Sequence, residues 1–283
     1  MSEVSVAALR PLGAGEILDG AVRCVRRNVR TAFVVALPYA VLRTGLVALL
    51  ELATFDSNDA AALSFFGSMI LSLLLGVVLT GFLTPAFADE FLGRHLTAGE
   101  CVARVGFAVW PLVGLAVVVA LVEEIGLVAL LIGGIWLWGV WAVAAPALVT
   151  ERTGLRGALG RSLTLVKGDF WRTFWVRLLG LIVTSVISFL LALPFDALAA
   201  AVTGNDPFHL TATGLSGPQV FVLISAAGGL IAALVTGPIS AAVDVLLYLD
   251  LRMRREGMDL VLTLPPLPAD ALPAPDTRPV SAW

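Results

Sequence analysis

Six long runs of apolar residues, almost free of charge, constrain what this chain can fold into. They cover residues 31–52, 62–87, 107–122, 125–149, 174–198 and 219–249. A helix needs about 20 such residues to cross the roughly 30 Å of hydrocarbon in a bilayer. Only 14% of the residues are charged, against about a quarter in a soluble domain. The runs therefore predict an all-α, polytopic bundle of six transmembrane helices over residues 31–262.

The basic residues alternate between the segments that connect these runs. Lysine and arginine are enriched in the loops on the cytoplasmic side of a membrane. All of the 18 basic residues except Arg43 lie before the first run, in or beside every second loop, or after the last run. The loops between carry acidic residues such as Asp56 and Asp59 but no basic ones. This alternation predicts an even number of spans, with the N-terminus and the C-terminus in the cytoplasm.

Each predicted cytoplasmic segment that leads into an odd-numbered span has helical periodicity. Within the N-terminal segment 1–30, apolar side chains recur at helical spacing over residues 17–29, opposite a charged face. Thr97 and Glu100 have the spacing of a capping box, and a third apolar stripe covers residues 155–170. We expect three interfacial amphipathic helices, with apolar faces toward lipid or toward the bundle and arginines toward anionic lipid headgroups. Plain connecting helices packed on the bundle would give the same pattern. The candidate lipid contacts are Arg23, Arg26, Arg27, Arg30, Arg252, Arg254 and Arg255.

The order of interfacial helix, span, turn and span occurs three times. The second span of each unit contains a proline, at Pro85, Pro146 and Pro238, which is compatible with a three-hairpin internal repeat of variable period. After the last span the chain becomes proline-rich, with the sequence PPLPADALPAPDTRPVSAW. This composition predicts a disordered cytoplasmic tail over residues 263–283.

Composition and motifs also limit the chemistry that we expect. The net charge of −3 gives no basic excess, so we expect no nucleic-acid partner. The sequence lacks the short motifs that bind metals, nucleotides or other cofactors, so we expect no cofactor and no catalytic residue. The two cysteines, Cys24 and Cys101, lie in separate predicted cytoplasmic segments, where a disulfide is not expected.

Three stretches resemble one bacterial family. RPLGAGEILDGAVRCVRRNVRTAF, AAPALVTERTGLRGALGRSLTLVKGDFWRTF and LLYLDLRMRREGMDL are similar to the glycerophosphodiester phosphodiesterase membrane-domain family. The resemblance implies the membrane architecture of that family in a bacterial plasma membrane. It does not imply phosphodiesterase activity, which requires a barrel domain of about 250 residues with histidines and carboxylates around a metal. Because the sequence has only His95 and His209, we expect that this chain is not an enzyme.

Ionisable residues inside the predicted spans are candidate site residues, because an unpaired charge in hydrocarbon costs a few kcal/mol or more. Arg43 lies near the middle of the first span, and Asp244 lies about two turns inside the last. Hydropathy places the third turn at Glu123 and Glu124, whereas poor helix propensity favours Gly133–Gly134. With the turn at the glycines, both glutamates enter the membrane at about the depth of Arg43. We then hypothesise that one of them forms an ion pair with Arg43.

The absence of a catalytic motif, together with a basic cytoplasmic surface, favours a non-enzymatic scaffold or accessory subunit. Such a subunit would organise lipid and an unidentified membrane or cytoplasmic protein. A small transporter or channel is the main alternative, because the spans contain prolines and buried charges. An intramembrane lipid-modifying enzyme fits less well, since the spans contain few polar residues. A continuous polar cavity that reaches Arg43 from either side would favour transport, and a tightly packed apolar core would favour a scaffold.

Overall fold

All secondary structure in the part of the chain that the structure describes is helical. The structure, a computed structural model, describes residues 13–54, 60–91, 93–130, 132–203 and 218–256. Six of its helical segments are long and apolar enough to cross a membrane: 29–53, 62–90, 98–127, 132–151, 170–203 and 219–256. The predicted fold class is therefore confirmed, and the chain is an integral membrane protein. The predicted proline-rich tail lies outside the described residues.

Ten α-helices cover these described ranges. In chain order they are α1 (Ala14–Arg27), α2 (Val29–Thr54), α3 (Ala60–Phe91), α4 (Ala98–Val105), α5 (Val109–Leu130), α6 (Ile132–Val140), α7 (Ala144–Glu151), α8 (Gly154–Val166), α9 (Phe170–Thr203) and α10 (Pro218–Glu256). A single 3-10 turn, Gly106–Ala108, joins α4 to α5. The two longest helices, α9 and α10, pack extensively against each other, and α10 also contacts α2 and α3.

Local sequence explains where several helices begin. The predicted capping box is present at α4, where the Thr97 side chain accepts a hydrogen bond from the backbone of Glu100 and the Glu100 carboxylate accepts one from the backbone of Thr97. The N-cap of α1 is Gly13, whose backbone N–H donates a hydrogen bond of 2.7 Å to the Glu16 carboxylate. A carboxylate in the first turn also interacts favourably with the helix dipole. Both short helices are thus fixed by polar groups at their N-termini.

The short helices α1, α4 and α8 lie at one end of the bundle, which we call the basal end. The Asn28 amide donates to Glu90 of α3 at 2.8 Å, and the Thr31 hydroxyl donates to the backbone of Leu96 at 2.7 Å. We call the opposite end, where α2 leads toward α3 and α9 toward α10, the distal end. The position of α1, α4 and α8 at a membrane surface, the cytoplasmic side of the basal end and the internal repeat stay predictions.

The apolar face of α1 packs against the bundle. Its buried side chains include Ile17, Ala21 and Cys24, and Gly20 lies against Leu246 of α10. A Cβ at position 20 would lie 3.1 Å from the Leu246 side chain, so a small residue is needed for this close contact. Of the two orientations left open by the sequence, the face toward the bundle is the one observed.

Helix α5 ends at Leu130 and α6 begins at Ile132, so the position of the third turn given by hydropathy is wrong. Helix α5 continues through Glu123 and Glu124, and the predicted boundary at residues 122–125 lies inside it. The turn is next to the alternative site, because Gly134 packs directly on the backbone of the preceding helix. A Cβ on Gly134 would lie 2.4 Å from the Leu127 nitrogen. Glu123 and Glu124 lower the mean hydropathy of this stretch, but they do not end the helix, because the residues around them favour helical structure.

The two halves of the bundle are packed differently. Fully buried apolar side chains concentrate toward the basal end, including Leu83, Phe87, Leu247 and Tyr248. In the distal direction the helices are more open: no residue of α3 between 62 and 78, and none of α9 between 185 and 198, is buried. The distal halves of these helices therefore surround space that the protein does not fill.

Candidate functional site: a charged cavity inside the bundle

A cavity of about 890 Å³ lies inside the bundle and is lined by all six spanning segments. Most of its wall is apolar. The lining residues of α9 extend from Phe174 to Ala192, which is about 27 Å at 1.5 Å per residue. The cavity is therefore elongated along the bundle. Its ionisable lining residues are Tyr39, Arg43, Glu123, Arg177 and Asp244.

Arg177 of α9 is the centre of the charged group at the basal end of the cavity. Its Nε lies 3.3 Å from Asp244 Oδ1 of α10, and both side chains are largely buried, at 15% and 13% exposure. A second guanidinium nitrogen donates a hydrogen bond to the backbone oxygen of Trp138, and the guanidinium lies 4.7 Å from the centre of the Trp138 ring. Asp244, predicted as an intramembrane acid, is thus held in an interhelical ion pair. We call Glu123, Arg177 and Asp244 the charged cluster.

Glu123 of α5 completes the cluster but is not fully bonded. It is 5% exposed, lies in the cavity wall, and is close enough to Arg177 and Asp244 for electrostatic interaction. Its Oε1 atom is buried and has no hydrogen-bond partner. A buried carboxylate normally has donors for its oxygens, since an unsatisfied one costs about 1–3 kcal/mol or more. The cluster therefore contains a cavity-lining carboxylate with an oxygen that no described residue satisfies.

Arg43 lies at a different level of the cavity. Its Nε donates a hydrogen bond of 3.2 Å to the hydroxyl of Ser72 on α3. The neighbouring Thr44 lies against Gly229 of α10, and Asp244 is farther along the same helix by about 22 Å at 1.5 Å per residue. The cavity thus has one guanidinium toward the distal end and the charged cluster toward the basal end.

The hypothesised ion pair between Arg43 and Glu123 or Glu124 is absent from the described residues. The sequence argument counted depth from the ends of the spans and assumed that these ends lie in one plane. In the structure α5 packs mainly against α3 and α6, while α2 packs against α3 and α10, so α3 stands between the two partners. Glu123 lies beside Arg177, and both carboxylate oxygens of Glu124 are buried without a hydrogen-bond partner. Glu124 is not part of the cavity wall.

Hydroxyl groups supply further polar atoms along the cavity. Ser188 donates to the hydroxyl of Thr236 at 3.1 Å, which links α9 to α10 within the wall. Ser185 and Ser240 also line the cavity, and both are exposed. These two side chains offer hydrogen-bonding groups that are accessible from the cavity.

A second polar network lies at the basal end, beyond the charged cluster. The Tyr248 hydroxyl donates to Glu151 at 2.8 Å, and Arg161 bonds both Glu151, at 2.9 Å, and Glu256. Arg252 lies 2.9 Å from Glu256. These contacts join α7, α8 and α10 across the base of the bundle, so they help to close the cavity on that side.

The predicted lipid-contacting arginines fall into two groups. Four of them have carboxylate partners: Arg27 with Glu90, Arg252 with Glu256, Arg254 with Asp250, and Arg255 with Asp169. The other three, Arg23, Arg26 and Arg30, are exposed on or next to α1 and make no ion pair with a described residue. Only the second group is available to an external anion without loss of an ion pair.

The thiols and imidazoles do not form a cluster. Cys24 and Cys101 are free and buried, and burial raises the pKa of Cys24 to about 12, with a further contribution from the Glu90 carboxylate. His95 lies 2.8 Å from Glu90, and His209 is outside the described residues. Within the described ranges, no group of three or more His, Cys, Asp or Glu side chains has a geometry that could hold a metal ion.

Sequence reasoning missed Arg177 as a site residue. In the sequence it lies only three residues inside the apolar run that begins at Phe174, next to the basic loop before that run. The helix in fact begins at Phe170, which places Arg177 two turns inside it. No protein-family model, curated protein or solved structure matches this chain.

Proposed function

We propose that this protein is a small transporter, which binds an amphipathic solute in the central cavity and moves it into or across the membrane. The observation that supports this proposal is the cavity itself, which is lined by all six spans and reaches Arg43. A cavity with charged groups in a mainly apolar wall is closer to the continuous polar cavity expected of a transporter than to the tightly packed apolar core expected of a scaffold. The order of the two hypotheses drawn from sequence is therefore reversed.

The size and composition of the cavity support a role in ligand binding. Its volume of about 890 Å³ lies within the range of roughly 300–1,000 Å³ for pockets that hold small molecules. Such pockets combine a mainly apolar wall with a few placed polar groups, as this one does. The polar groups at two levels suit a solute that has an apolar body.

The difference between the two ends of the bundle supports a role in movement. Alternating access requires that one side of a central site is closed while the other is open. Here Tyr248 and its polar network lie in the densely packed basal part of the bundle, whereas α3 between 62 and 78 and α9 between 185 and 198 contain no buried residue. Pro194 and Pro238 lie inside α9 and α10, and a proline within a helix is a common point of bending.

Cysteine accessibility tests the proposal without a known solute. We would replace Cys24 and Cys101 by alanine, introduce Ser240→Cys or Ser185→Cys, and measure the rate of labelling by a charged methanethiosulfonate reagent in membranes. Both positions line the cavity, and Val186→Cys is the matched control, since Val186 is 53% exposed but outside the cavity wall. We expect the two cavity positions to react at least about tenfold faster than position 186, because thiol reaction requires an ionised thiol in water. Equal, slow labelling at all three positions would contradict a water-accessible pathway.

A scaffold or accessory role is the second candidate, and the α1 surface favours it. Arg23, Arg26 and Arg30 are exposed and lack a described carboxylate partner. Their charge suits an anionic lipid surface or an acidic protein, and this role is compatible with transport. The resemblance to the glycerophosphodiester phosphodiesterase membrane-domain family, the bacterial plasma membrane as location and the absence of enzymatic activity stay predictions.

A further inference from the structure

The charged cluster contains one acceptor that the protein does not satisfy. Glu123 is 5% exposed and lines the cavity, and its Oε1 has no partner among the described residues. Arg177 is the cationic neighbour, but its donors are directed at Asp244 and at the Trp138 carbonyl. Because the Glu123 carboxylate lines the cavity and has no hydrogen-bond or ion-pair partner among the described residues, a ligand that carries an N–H group would supply a donor.

The charge balance of the cluster indicates the sign of that ligand. Arg177, the guanidinium of the cluster, forms its ion pair with Asp244, whereas Glu123 interacts with it electrostatically without an ion pair, so the cluster has one acidic group in excess. Arg43 is bonded to Ser72 at another level of the cavity. An anionic ligand group at the cluster would face two carboxylates with the only nearby guanidinium already engaged. A cationic group would restore the balance.

The remaining wall limits what kind of cation fits. Phe174 and Trp141 are among the aromatic side chains that line the cavity near the cluster, and most of the wall is apolar. An aromatic wall accommodates both an apolar body and an organic cation. A bare metal ion would instead need several oxygen ligands, and the described residues contain no group of three acidic, histidine or cysteine side chains that could supply them.

We infer that the cavity binds a lipophilic organic ammonium ion, with its N–H donors on the Glu123 carboxylate and its apolar body directed along the cavity toward the distal end. This inference rests on the proposed transport function and names its class of solute. Glu123 is the recognition residue, and the Arg177–Asp244 pair holds the charge around it. Ser185 and Ser240 provide additional acceptors for other N–H groups of the ligand.

The test measures binding to the full chain in lipid nanodiscs, with empty nanodiscs as the background. The probe is a fluorescent naphthylbutylammonium ion, compared with its N-trimethyl analogue, which has no N–H donor, and with naphthylpentanoate, which is an anion. The variant is Glu123→Gln, and the matched control is Glu124→Gln. Glu124 is the adjacent residue of α5 and is likewise buried without a partner, but it does not line the cavity.

We expect saturable binding of the ammonium probe, weakened about 10-fold to 100-fold in Glu123→Gln, because a hydrogen bond between charged groups is lost. Glu124→Gln should bind as the wild type does. The trimethyl analogue should bind about tenfold more weakly than the ammonium, and the carboxylate should bind least. The inference is overturned by equal affinity in Glu123→Gln and wild type, by equal losses in both variants, by an equal or higher affinity for the carboxylate, or by no saturable binding.

Failure of this inference is distinct from failure of the transport proposal. If Ser240→Cys is labelled from water but the ammonium probe does not bind, the pathway stands and the class of solute is wrong. If the probe binds through Glu123 but positions 185 and 240 remain unlabelled, the site stands and the water-accessible pathway is wrong. The two experiments thus separate what the cavity binds from whether the solute reaches it from water.

Discussion

Removal of Arg177 should destabilise the protein more than removal of its partner Asp244. Its guanidinium forms an ion pair with the buried Asp244, interacts electrostatically with the buried Glu123 and is bonded to the Trp138 carbonyl. In Arg177→Met, Glu123 and Asp244 remain buried without a cation, and the carbonyl loses its donor. Breaking a buried ion pair from one side costs about 3–5 kcal/mol. An unsatisfied carbonyl adds about 1 kcal/mol, so we expect a loss of roughly 4–6 kcal/mol in the free energy of unfolding.

Asp244→Asn should cost much less. Asparagine keeps an oxygen that can accept from Arg177, and Glu123 remains as a carboxylate beside the guanidinium. The loss is then closer to that of one charge-assisted hydrogen bond, about 1–2 kcal/mol. If Arg177→Met is combined with Glu123→Gln and Asp244→Asn, no buried charge is left, and at least half of the stability should return.

Unfolding by SDS in mixed micelles, followed by tryptophan fluorescence, measures these differences by linear extrapolation. Trp138 lies against Arg177, so it should report the local change, and thermal scans of the same samples give an independent ranking. Equal losses in Arg177→Met and Asp244→Asn would refute the reasoning, because they would mean that Glu123 does not share the guanidinium. Failure of the triple variant to recover would show that Arg177 acts through packing rather than charge.

Further changes test the turn, the α1 surface and the orientation. Gly134→Ala should lower the free energy of unfolding by about 1–3 kcal/mol, because its Cβ would clash with the α5 backbone, whereas Gly76→Ala, with no atom within 4 Å of the new Cβ, should change it little. Arg23, Arg26 and Arg30 are the three unpaired arginines, and their replacement by glutamine should weaken binding of the detergent-purified full chain to anionic vesicles by about 1 kcal/mol for each charge. The salt dependence of this binding should also fall. The same change at Arg27, which is paired with Glu90, should have less effect. In a protein whose native cysteines are replaced by alanine, cysteine at Asn205, which lies outside the described residues, should react with an impermeant reagent on intact cells, and cysteine at the exposed Asp19 of α1 should not; the reverse would place the basal end outside.

The number of spans and the presence of the short helices were predictable because they depend on local properties. A run of apolar residues specifies a spanning helix regardless of its neighbours, and the Thr97–Glu100 capping box identified the start of α4. The third turn was not settled in the same way. Hydropathy averages over a window, so Glu123 and Glu124 resembled a loop although they lie inside α5. The structure ends the helix later because the Gly126–Gly134 contact lets the two arms of the hairpin approach closely.

The candidate site was predictable only in part, because it depends on the register between helices. The sequence identified Glu123, Arg43 and Asp244 as charges in the membrane, but it did not identify Arg177 as the partner. The α9–α10 register is fixed by contacts such as Gly180 with Val243, and Arg177 and Asp244 face each other in that same register. The connection between these helices is long, and its length does not determine how the helices align.

The presence of two unsatisfied glutamates in a buried helix allows stability to be separated from function. A bundle of this kind would be at least as stable without them, since replacing a buried unpartnered carboxylate by a neutral group removes a desolvation cost of about 1–3 kcal/mol. We therefore expect Glu124→Gln to raise the free energy of unfolding by about that amount, since both of its carboxylate oxygens are buried without a partner. Glu123→Gln should raise it by less, because the attraction between Glu123 and Arg177 is lost with the charge. Only Glu123→Gln should weaken binding of the ammonium probe, by about 10-fold to 100-fold, because Glu123 and not Glu124 lines the cavity. A Glu123→Gln protein that is less stable than the wild type would mean that the carboxylate is required by the fold, and the assignment of Glu123 to ligand recognition would lose its physical basis.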